Sequence, residues 1–212
     1  SDKQEKIAFD LDGVFTASWS PNGEQLAFVG NEGGASDIYI YEIESKKTIN
    51  LTNDVFSDTE PSWSPNGEKI VFISDRGIKN NNINTTAKDM IDHNYEQSDV
   101  FIIDLNSRDI NQVTNTAYNE NYPIFSNTEN KLFYTADYQG TWNLFRHDLD
   151  SRKSEPVTNL LTGLFQLSLT KDDGSLVFSG YSSLGWDVFR LSNPLNLEPT
   201  KIEPTNYIAN RE

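Results

Sequence analysis

The sequence contains no cysteine, which excludes a disulfide scaffold and any metal site built from thiolates. Basic residues are scarce, since 17 Lys and Arg stand against 32 Asp and Glu and leave a net charge of −15. Such a chain repels phosphate backbones, and because no basic patch interrupts it we expect no nucleic-acid binding. No apolar run approaches the ~18 residues of a membrane span, so we expect no membrane-spanning segment.

Side chains that carry catalysis are also few. The two histidines, His93 and His147, are far apart and no His-Glu-x-x-His motif occurs, which leaves little material for a His-based triad or a zinc site. Residues 180–185 resemble a nucleophile elbow, but Leu184 stands where the second glycine is required. Carboxylates are plentiful without forming a calcium loop. We therefore expect no catalytic residue, no metal site and no cofactor.

The most informative feature of the sequence is an internal repeat. Trp19–Phe28 reads WSPNGEQLAF and returns as WSPNGEKIVF at Trp63–Phe72, with less regular copies beginning at Phe125 and Leu169. The first and second copies are 44 residues apart, as are the third and fourth, whereas the middle step is 62 residues. Later landmarks, an Asp or Asn that opens an apolar strand and an apolar-Thr pair, keep the same register. The excess of 18 residues is therefore an insertion, and it lies within residues 78–96.

Each repeat is typical of four short antiparallel strands. The Ser-Pro-Asn-Gly sequence after the anchor residue predicts a tight turn, because Pro presets φ and Asn-Gly accepts positive φ. The next strand is almost entirely apolar, as expected for a strand buried on both faces. Four-stranded units at a period of ~40–45 residues are blades of a β-propeller. We predict one all-β domain over residues 1–212, with blades at about 16–52, 61–114, 123–158 and 167–203.

The two ends of the chain bear on how the propeller closes. Residues 5–9 stand one period before the last strand of the first blade and predict a leading strand. Four blades plus one leading strand favour a part of a larger propeller. The alternative is a closed four-bladed ring in which residues 5–9 complete the last blade. This alternative gains support because the fourth strand predicted from Leu195 to Thr205 contains Pro199 and Pro204, and proline removes ladder donors.

Two further structural expectations follow from the repeat. The anchors of the four copies should be equivalent buried positions between neighbouring blades: Trp19, Trp63, Phe125 and Leu169. No helix of consequence is expected outside the insertion. Within it, a short amphipathic helix is predicted at Thr86–Tyr95, capped by Thr85 or Thr86.

The stretch Trp63–Gly77, together with Asp99–Leu105 and the pair Val113-Thr114, resembles the TolB-type propeller repeat, and the resemblance covers about residues 7–203. This repeat occurs in periplasmic TolB, in propellers of prolyl-oligopeptidase-like and tricorn-like peptidases, and in large secreted or outer-membrane-associated bacterial proteins. Gly163–Leu169 and Phe178–Asp187 resemble the last group most, and some of its members carry a zinc peptidase-like domain.

The resemblance implies a non-enzymatic module that binds protein or peptide in the periplasm, outside the cell or in the cell envelope. One alternative is a regulatory or substrate-gating propeller of a larger peptidase. A further alternative is a sugar-active propeller enzyme, which would need paired carboxylates converging in the central funnel.

A partner site is expected on one face of the propeller. The links that enter each blade share that face with the links between second and third strands, and the insertion falls there as well. Met, aliphatic and aromatic side chains suit an adaptable binding patch, and acidic neighbours favour a partner with basic groups and salt-sensitive binding. The expected partner-binding residues are Asp58, Glu60, Met90, Ile91, Tyr95, Glu120 and Tyr122. A neutral insertion without a binding role is the alternative.

Overall fold

The computed structural model describes residues 4–77, 90–91 and 93–210 of the chain. Within these ranges the strands are β1 Gly13–Trp19, β2 Gln25–Glu32, β3 Ala35–Glu42, β4 Thr48–Asn50, β5 Asp58–Trp63, β6 Lys69–Ser74, β7 Asp99–Asp104, β8 Ile110–Gln112, β9 Glu120–Phe125, β10 Lys131–Ala136, β11 Asn143–Asp148, β12 Lys153–Pro156, β13 Phe165–Leu169, β14 Ser175–Ser182 and β15 Gly185–Ser192. The helical segments in these ranges are short: two 3-10 turns, Tyr138–Gly140 and Pro194–Asn196, and helix α1, Asn206–Ala209. In this part of the chain no helix is both long and apolar enough to span a membrane.

The strands form four antiparallel sheets made of consecutive strands: blade 1 (β1–β4), blade 2 (β5–β8), blade 3 (β9–β12) and blade 4 (β13–β15). The first strands of neighbouring blades contact one another, β1 with β5, β5 with β9 and β9 with β13. These strands therefore lie on the inner side of the arc of blades, and β4, β8 and β12 lie on its outer side. The predicted all-β propeller of antiparallel blades is confirmed.

Three of the four hydrophobic clusters in the described chain lie at the junctions between successive blades, and the fourth lies on the outer face of blade 1. Strand β6 explains why the second strand of each repeat is apolar throughout. Its side chains alternate between two junctions, because Ile70 and Phe72 pack toward blade 1 whereas Val71 and Ile73 pack toward blade 3. A central blade thus buries both faces of its sheet, as the run of apolar residues in the sequence predicts.

The four anchor residues occupy equivalent positions, but they are not equally buried. Trp63 is 7% exposed, and its indole Nε1 donates a hydrogen bond to the carbonyl of Ser18 in blade 1 at 3.1 Å. Phe125 and Leu169 are half-buried at the next two junctions. Trp19 is 59% exposed, so the prediction of a buried anchor is wrong there. Each anchor faces the preceding blade, and among the described residues no blade precedes blade 1.

Residues 5–9 lie outside any strand, in contrast to the predicted leading strand. Phe9 instead packs on the outer face of blade 1. Its ring centroid lies 4.4 Å from that of Phe28 and 5.6 Å, edge-on, from that of Tyr41. This segment shields part of the blade through side-chain contacts rather than through a strand ladder.

Blade 4 lacks the fourth strand predicted from Leu195 to Thr205. This segment crosses blade 3 instead, where Arg146 donates hydrogen bonds to two of its carbonyls. The N–H of Thr200 donates to the carbonyl of Pro156 at 2.9 Å.

The two ends of the arc do not pack against each other. In a closed four-bladed ring, blade 4 would cover Trp19 of blade 1, and blade 1 would cover Val188 on β15. Trp19 is 59% exposed and Val188 is 79% exposed, so neither side chain is covered in this way.

In blades 1 and 3 a polar pair connects the outer end of the blade to its third strand. In blade 1 the hydroxyl of Thr52 donates to the carboxylate of Asp37 at 3.1 Å and accepts from the N–H of Ile38, also at 3.1 Å. Asn143 and Thr158 form the same pair in blade 3 at 3.0 Å. We call this arrangement the strand clasp. It gives a physical reason for the Asp or Asn and the apolar-Thr pair that recur in the sequence.

Candidate functional site

The connections predicted to share one face do meet in the structure. The carboxylate of Asp75, after β6, accepts a hydrogen bond from the N–H of Ser57 at 2.8 Å. Asp137, after β10, accepts the equivalent bond from the N–H of Asn119 at 2.8 Å. Connections 53–57, 75–98, 115–119 and 137–142 therefore form one surface in their described parts, which we call the loop face.

A buried arginine organises the loop face beside blade 2. The guanidinium of Arg76 donates to both carboxylate oxygens of Asp58, at 2.7 and 2.6 Å, and lies 3.1 Å from the carboxylate of Asp54. Its central carbon stands 5.4 Å from the ring centroids of both Phe72 and Phe101. Asp58 is fully buried in this ion pair. Its charge is neutralised inside the protein, and a partner does not reach it, contrary to the expectation for this residue.

Three carboxylates approach one another at this place, with oxygens of Asp37, Asp54 and Asp58 all within 4.8 Å. Burial, reinforced by the negative charge of Asp58, raises the pKa of Asp54 to about 6. Arg76 provides the positive charge that balances the cluster. These residues could offer ligands to a hard cation, but the arginine already occupies the space between two of them, and we assign no metal to the cluster.

Glu120, also expected to face a partner, is fully buried at the start of β9. Its carboxylate accepts hydrogen bonds from the hydroxyls of Thr114 at 3.0 Å and Thr116 at 2.7 Å. Burial raises the pKa of Glu120 to about 8, and the nearby negative charge of Asp99 contributes to the same rise. This side chain ties the end of blade 2 to the start of blade 3, so its role is internal.

Glu60 and Tyr122 lie on the inner strands at positions that match between blades. These positions share a positive φ, between 36° and 58°, in all four blades: Thr16, Glu60, Tyr122 and Gln166. Each lies at a β-bulge, where the pairing register of the inner strand shifts. The carboxylate of Glu60 accepts a hydrogen bond from the N–H of Tyr122 in the next blade. Burial raises the pKa of Glu60 to about 7.

These four bulges were not predicted from the sequence. Their common spacing is visible there, because each of the four residues stands three places before the anchor of its repeat. Tertiary structure alone shows that Glu60 spans two blades. Both Glu60 and Tyr122 remain half-buried rather than exposed, so the bulges bring them to the inner side of the arc without fully covering them.

The described end of the insertion lies on the loop face. Met90 is buried, whereas Ile91 is 78% exposed and Tyr95 is 61% exposed. The Tyr95 hydroxyl donates to the carbonyl of Met90 at 3.0 Å. Of the helix predicted at Thr86–Tyr95, residues 86–89 and 92 lie outside the described residues, and the others form turns or irregular backbone rather than a helix. The buried side chain of Met90 thus holds the segment against the protein, while the side chains of Ile91 and Tyr95 are exposed to solvent.

His93 supports the exposed Tyr95. Its ring centroid lies 4.8 Å from that of Tyr95, edge-on, and 5.5 Å from that of Phe56, and Nε2 stands 3.3 Å from the carboxylate of Asp75. From the sequence this histidine was considered only for a catalytic triad or a zinc site. The structure surrounds it with one carboxylate and two rings, so what it can do is hold Tyr95 in place.

A groove of about 700 Å³ opens on the opposite face, between the turn Ser64–Asn66 of blade 2 and the turn Ser126–Asn130 of blade 3. Several of its polar side chains form hydrogen bonds within the turns. The hydroxyl of Ser64, for example, donates to the side chain of Asn66 at 2.7 Å and accepts from the N–H of Lys69 at 2.9 Å. The fold accounts for this face, as the turn sequences predict.

Four-stranded antiparallel blades packed side by side define the class of protein, a β-propeller. Residues 1–89 match the family model of the TolB β-propeller domain. The resemblance to the TolB-type propeller repeat is thereby confirmed over residues 1–89.

Similar proteins agree with this assignment. Over 53 residues the chain is 42% identical to the Tol-Pal system protein TolB of Ruthia magnifica subsp. Calyptogena magnifica, a match that covers 24% of this chain and 12% of that protein. The structure of TolB from Acinetobacter baumannii is similar with a TM-score of 0.65 at 16% identity, over 85% of this chain and 41% of that chain. The chain therefore spans less than half the length of either TolB protein.

The same fold occurs in a puromycin-hydrolyzing peptidase of Mycobacterium tuberculosis. Its structure is similar with a TM-score of 0.62 at 14% identity, over 89% of this chain and 28% of that chain. At this level of identity the likeness shows the shared fold alone.

Proposed function

We propose that this chain is a non-enzymatic module that binds a protein or peptide segment on its loop face. The observation that carries the proposal is the pair Ile91 and Tyr95, which are largely exposed on a segment held from below. Met90 is buried under this segment, and His93 packs against the ring of Tyr95. An exposed aromatic side chain on a rigid support loses little entropy on binding, which is the property of an interface hot spot.

The expected partner carries basic groups. Glu96 is exposed directly beside Tyr95, and the chain as a whole has a net charge of −15. Asp58 and Glu120 are buried within the fold and do not contribute to this attraction. The basic partner is attracted by Glu96 and by the overall negative charge. Glu60 and Tyr122, half-buried at the inner side of the arc, would provide further contacts with the partner. Such attraction raises the association rate and weakens as salt is added.

A second candidate is a propeller that gates or positions substrate for a larger peptidase. The shared fold with the Mycobacterium tuberculosis peptidase favours it. A sugar-active enzyme, the third possibility from the sequence, has less support, because Asp58 and Glu120 are engaged by Arg76 and by two threonine hydroxyls. In both of the first two candidate functions, the role of the chain is to recognise another molecule rather than to catalyse a reaction. The likeness to TolB supports a periplasmic or cell-envelope location for either.

A peptide selection tests the proposal. A displayed library of random peptides is selected on the intact chain, and the binders are measured against the double variant Ile91→Ala/Tyr95→Ala. We expect the selected peptides to be enriched in Lys and Arg, and we expect their affinity for the double variant to fall by about tenfold or more.

The matched control is Ile49→Ala, which removes an exposed aliphatic side chain from the outer strand β4, away from the loop face. Its affinity for the same peptides should stay at the level of the unmodified chain. If the selected peptides bind the double variant and the unmodified chain equally well, the loop face is not the recognition surface.

A further inference from the structure

The outer edge of blade 4 differs from that of the other blades. In blades 1–3 the third strand pairs with a fourth strand, whereas blade 4 ends at its third strand, β15. This strand is eight residues long, Gly185–Ser192. Among the residues that the structure describes, none pairs with its outer side. An open strand edge presents a row of N–H and C=O groups to any extended polypeptide.

The polar half of a strand clasp is already present on this edge. Asp187 pairs with Gly180 across the sheet, at the same register as Asp37 with Gly30 in blade 1. In blade 1 the residue after the aspartate is Ile38. Its carbonyl accepts a hydrogen bond from the N–H of Leu51 at 2.7 Å, and its own N–H donates to the hydroxyl of Thr52. The corresponding groups in blade 4 are the exposed carboxylate of Asp187 and the backbone of Val188. Within the described chain, Asp187 has Ser182 as its hydrogen-bonding partner.

The segment that follows β15 does not complete this clasp. Counting from Asp187 as the other blades count from Asp37 and Asn143, the apolar-Thr pair should fall at Lys201-Ile202. Neither residue has a hydroxyl group. Ile202 is instead buried in the cluster between blades 2 and 3, and Pro199 lies two residues before the pair, where it removes a ladder donor. Residues 195–205 therefore leave the edge open for a chemical reason.

We propose that the outer edge of β15 accepts an extended strand from a partner polypeptide, and that this strand carries an apolar residue followed by threonine. The added strand runs antiparallel to β15, as β4 does to β3. Its threonine donates to Asp187 and accepts from the N–H of Val188, while backbone bonds along the edge supply most of the affinity. The side chains of Trp186 and Val188, both largely exposed, flank the acceptor edge. This edge belongs to blade 4 and does not include Ile91 or Tyr95, so the proposal does not depend on the function proposed for the loop face.

The chain itself provides the probe, because residues 47–53, Lys-Thr-Ile-Asn-Leu-Thr-Asn, form the fourth strand and clasp of blade 1. A fluorescent peptide of this sequence is titrated against the intact chain, and amide hydrogen exchange is followed in parallel. We expect saturable binding and slower exchange at Val188. Replacing the second threonine of the peptide by valine should weaken binding about tenfold, because the added strand would then cover Asp187 without offering it a hydrogen bond.

Two substitutions in the protein form a matched pair. Asp187→Asn should keep the affinity within about threefold, since Asn143 performs the same task in blade 3, and Asp187→Ala should weaken it about tenfold. Asp187 is exposed, so neither change should disturb folding. The variant Tyr95→Ala should bind the peptide normally, which separates this result from the loop-face test.

Several results would overturn the proposal. Equal binding of the threonine and valine peptides, unchanged affinity in Asp187→Ala, or exchange protection elsewhere than β15 would each do so. Absence of binding up to about 1 mM peptide would have the same meaning. Self-association of the chain that disappears in Asp187→Ala, seen by sedimentation, would identify a second copy as the occupant and overturn the assignment to a different partner.

Discussion

At the scale of single residues, two groups of acidic side chains have pKa values shifted in opposite directions. Turn carboxylates such as Asp104 and Asp148 accept backbone hydrogen bonds, and those bonds lower their pKa values. Glu60 and Glu120 lie between blades, where burial raises the pKa of each. Sequence alone does not distinguish the two groups, because solvent exposure is a property of the folded chain. The second group gives the protein a pH-dependent stability that can be measured.

We predict that Glu120→Gln stabilises the protein at alkaline pH. The folded-state pKa of Glu120, about 8, lies above its ordinary value of 4.5, so the folded protein holds this proton more tightly than the unfolded chain. The associated stability is complete below pH 4.5 and is lost as the pH rises through 8. Glutamine stays neutral and can donate to Asp99, with which Glu120 shares a hydrogen bond.

The expected gain in the free energy of unfolding is about 2 kcal/mol at high pH and close to zero at acid pH. Urea unfolding of both proteins at the two ends of this range measures it. Glu44→Gln, at an exposed position, is the control for the change in net charge. A gain that is the same at both pH values would show that ionisation of Glu120 is not its source.

At the scale of elements, a propeller strand is defined by what packs on each of its faces. The anchor residues show this, because the same sequence, WSPNG, places Trp63 in a junction and leaves Trp19 exposed. Equivalent positions in a repeat share a direction and a register, while burial depends on whether a neighbouring blade is present. The two tryptophans should therefore contribute differently to the free energy of unfolding, although their local sequences match.

We predict that Trp63→Ala lowers the free energy of unfolding by about 3–5 kcal/mol, since it removes a buried indole and its hydrogen bond to Ser18. Trp19→Ala should cost less than about 1 kcal/mol, because more than half of that side chain is already in water. Urea titrations of the two variants under identical conditions make the comparison. Equal losses for both would mean that blade 1 is covered on its outer face in solution.

At the scale of the whole molecule, a negative surface surrounds an open arc of four blades. The net charge is −15 on 212 residues, and Trp19 and Val188 leave apolar surface at opposite ends of the arc. Mutual repulsion of like charges destabilises a compact state. The interior ion pairs of Arg76 are shielded from solvent, so added salt should act mainly on the surface.

We predict that sodium chloride raises the thermal midpoint by about 2–5 °C between low ionic strength and about 0.2 M, because it screens surface repulsion. Differential scanning calorimetry along a salt series checks this. Calcium chloride at matched ionic strength should give the same midpoint, since Arg76 already balances Asp54 and Asp58. A larger rise with calcium would show a specific cation site, and a flat series would show that surface repulsion is not significant.

Much of the architecture follows from the sequence because it depends on local rules. Turn residues, the apolar second strand and the 44-residue period together predicted the all-β propeller, its blade register and the shared loop face. Each of these features is set by residues close in the chain, or by a repeat that can be read without coordinates. The exposed positions of Ile91 and Tyr95 agree with their expected place on a recognition surface, which remains a proposal.

Other features were decided only by tertiary structure, because they depend on contacts between distant residues. Asp58 is neutralised by Arg76, 18 positions away, and Glu120 is enclosed by two threonines of the preceding blade. Residues 195–205 contact blade 3 rather than completing blade 4, and Lys201-Ile202 has no hydroxyl group to close the clasp on Asp187. Repeat periodicity specifies where a strand or an anchor would fit. Whether that position is filled depends on which partner is present to bury it.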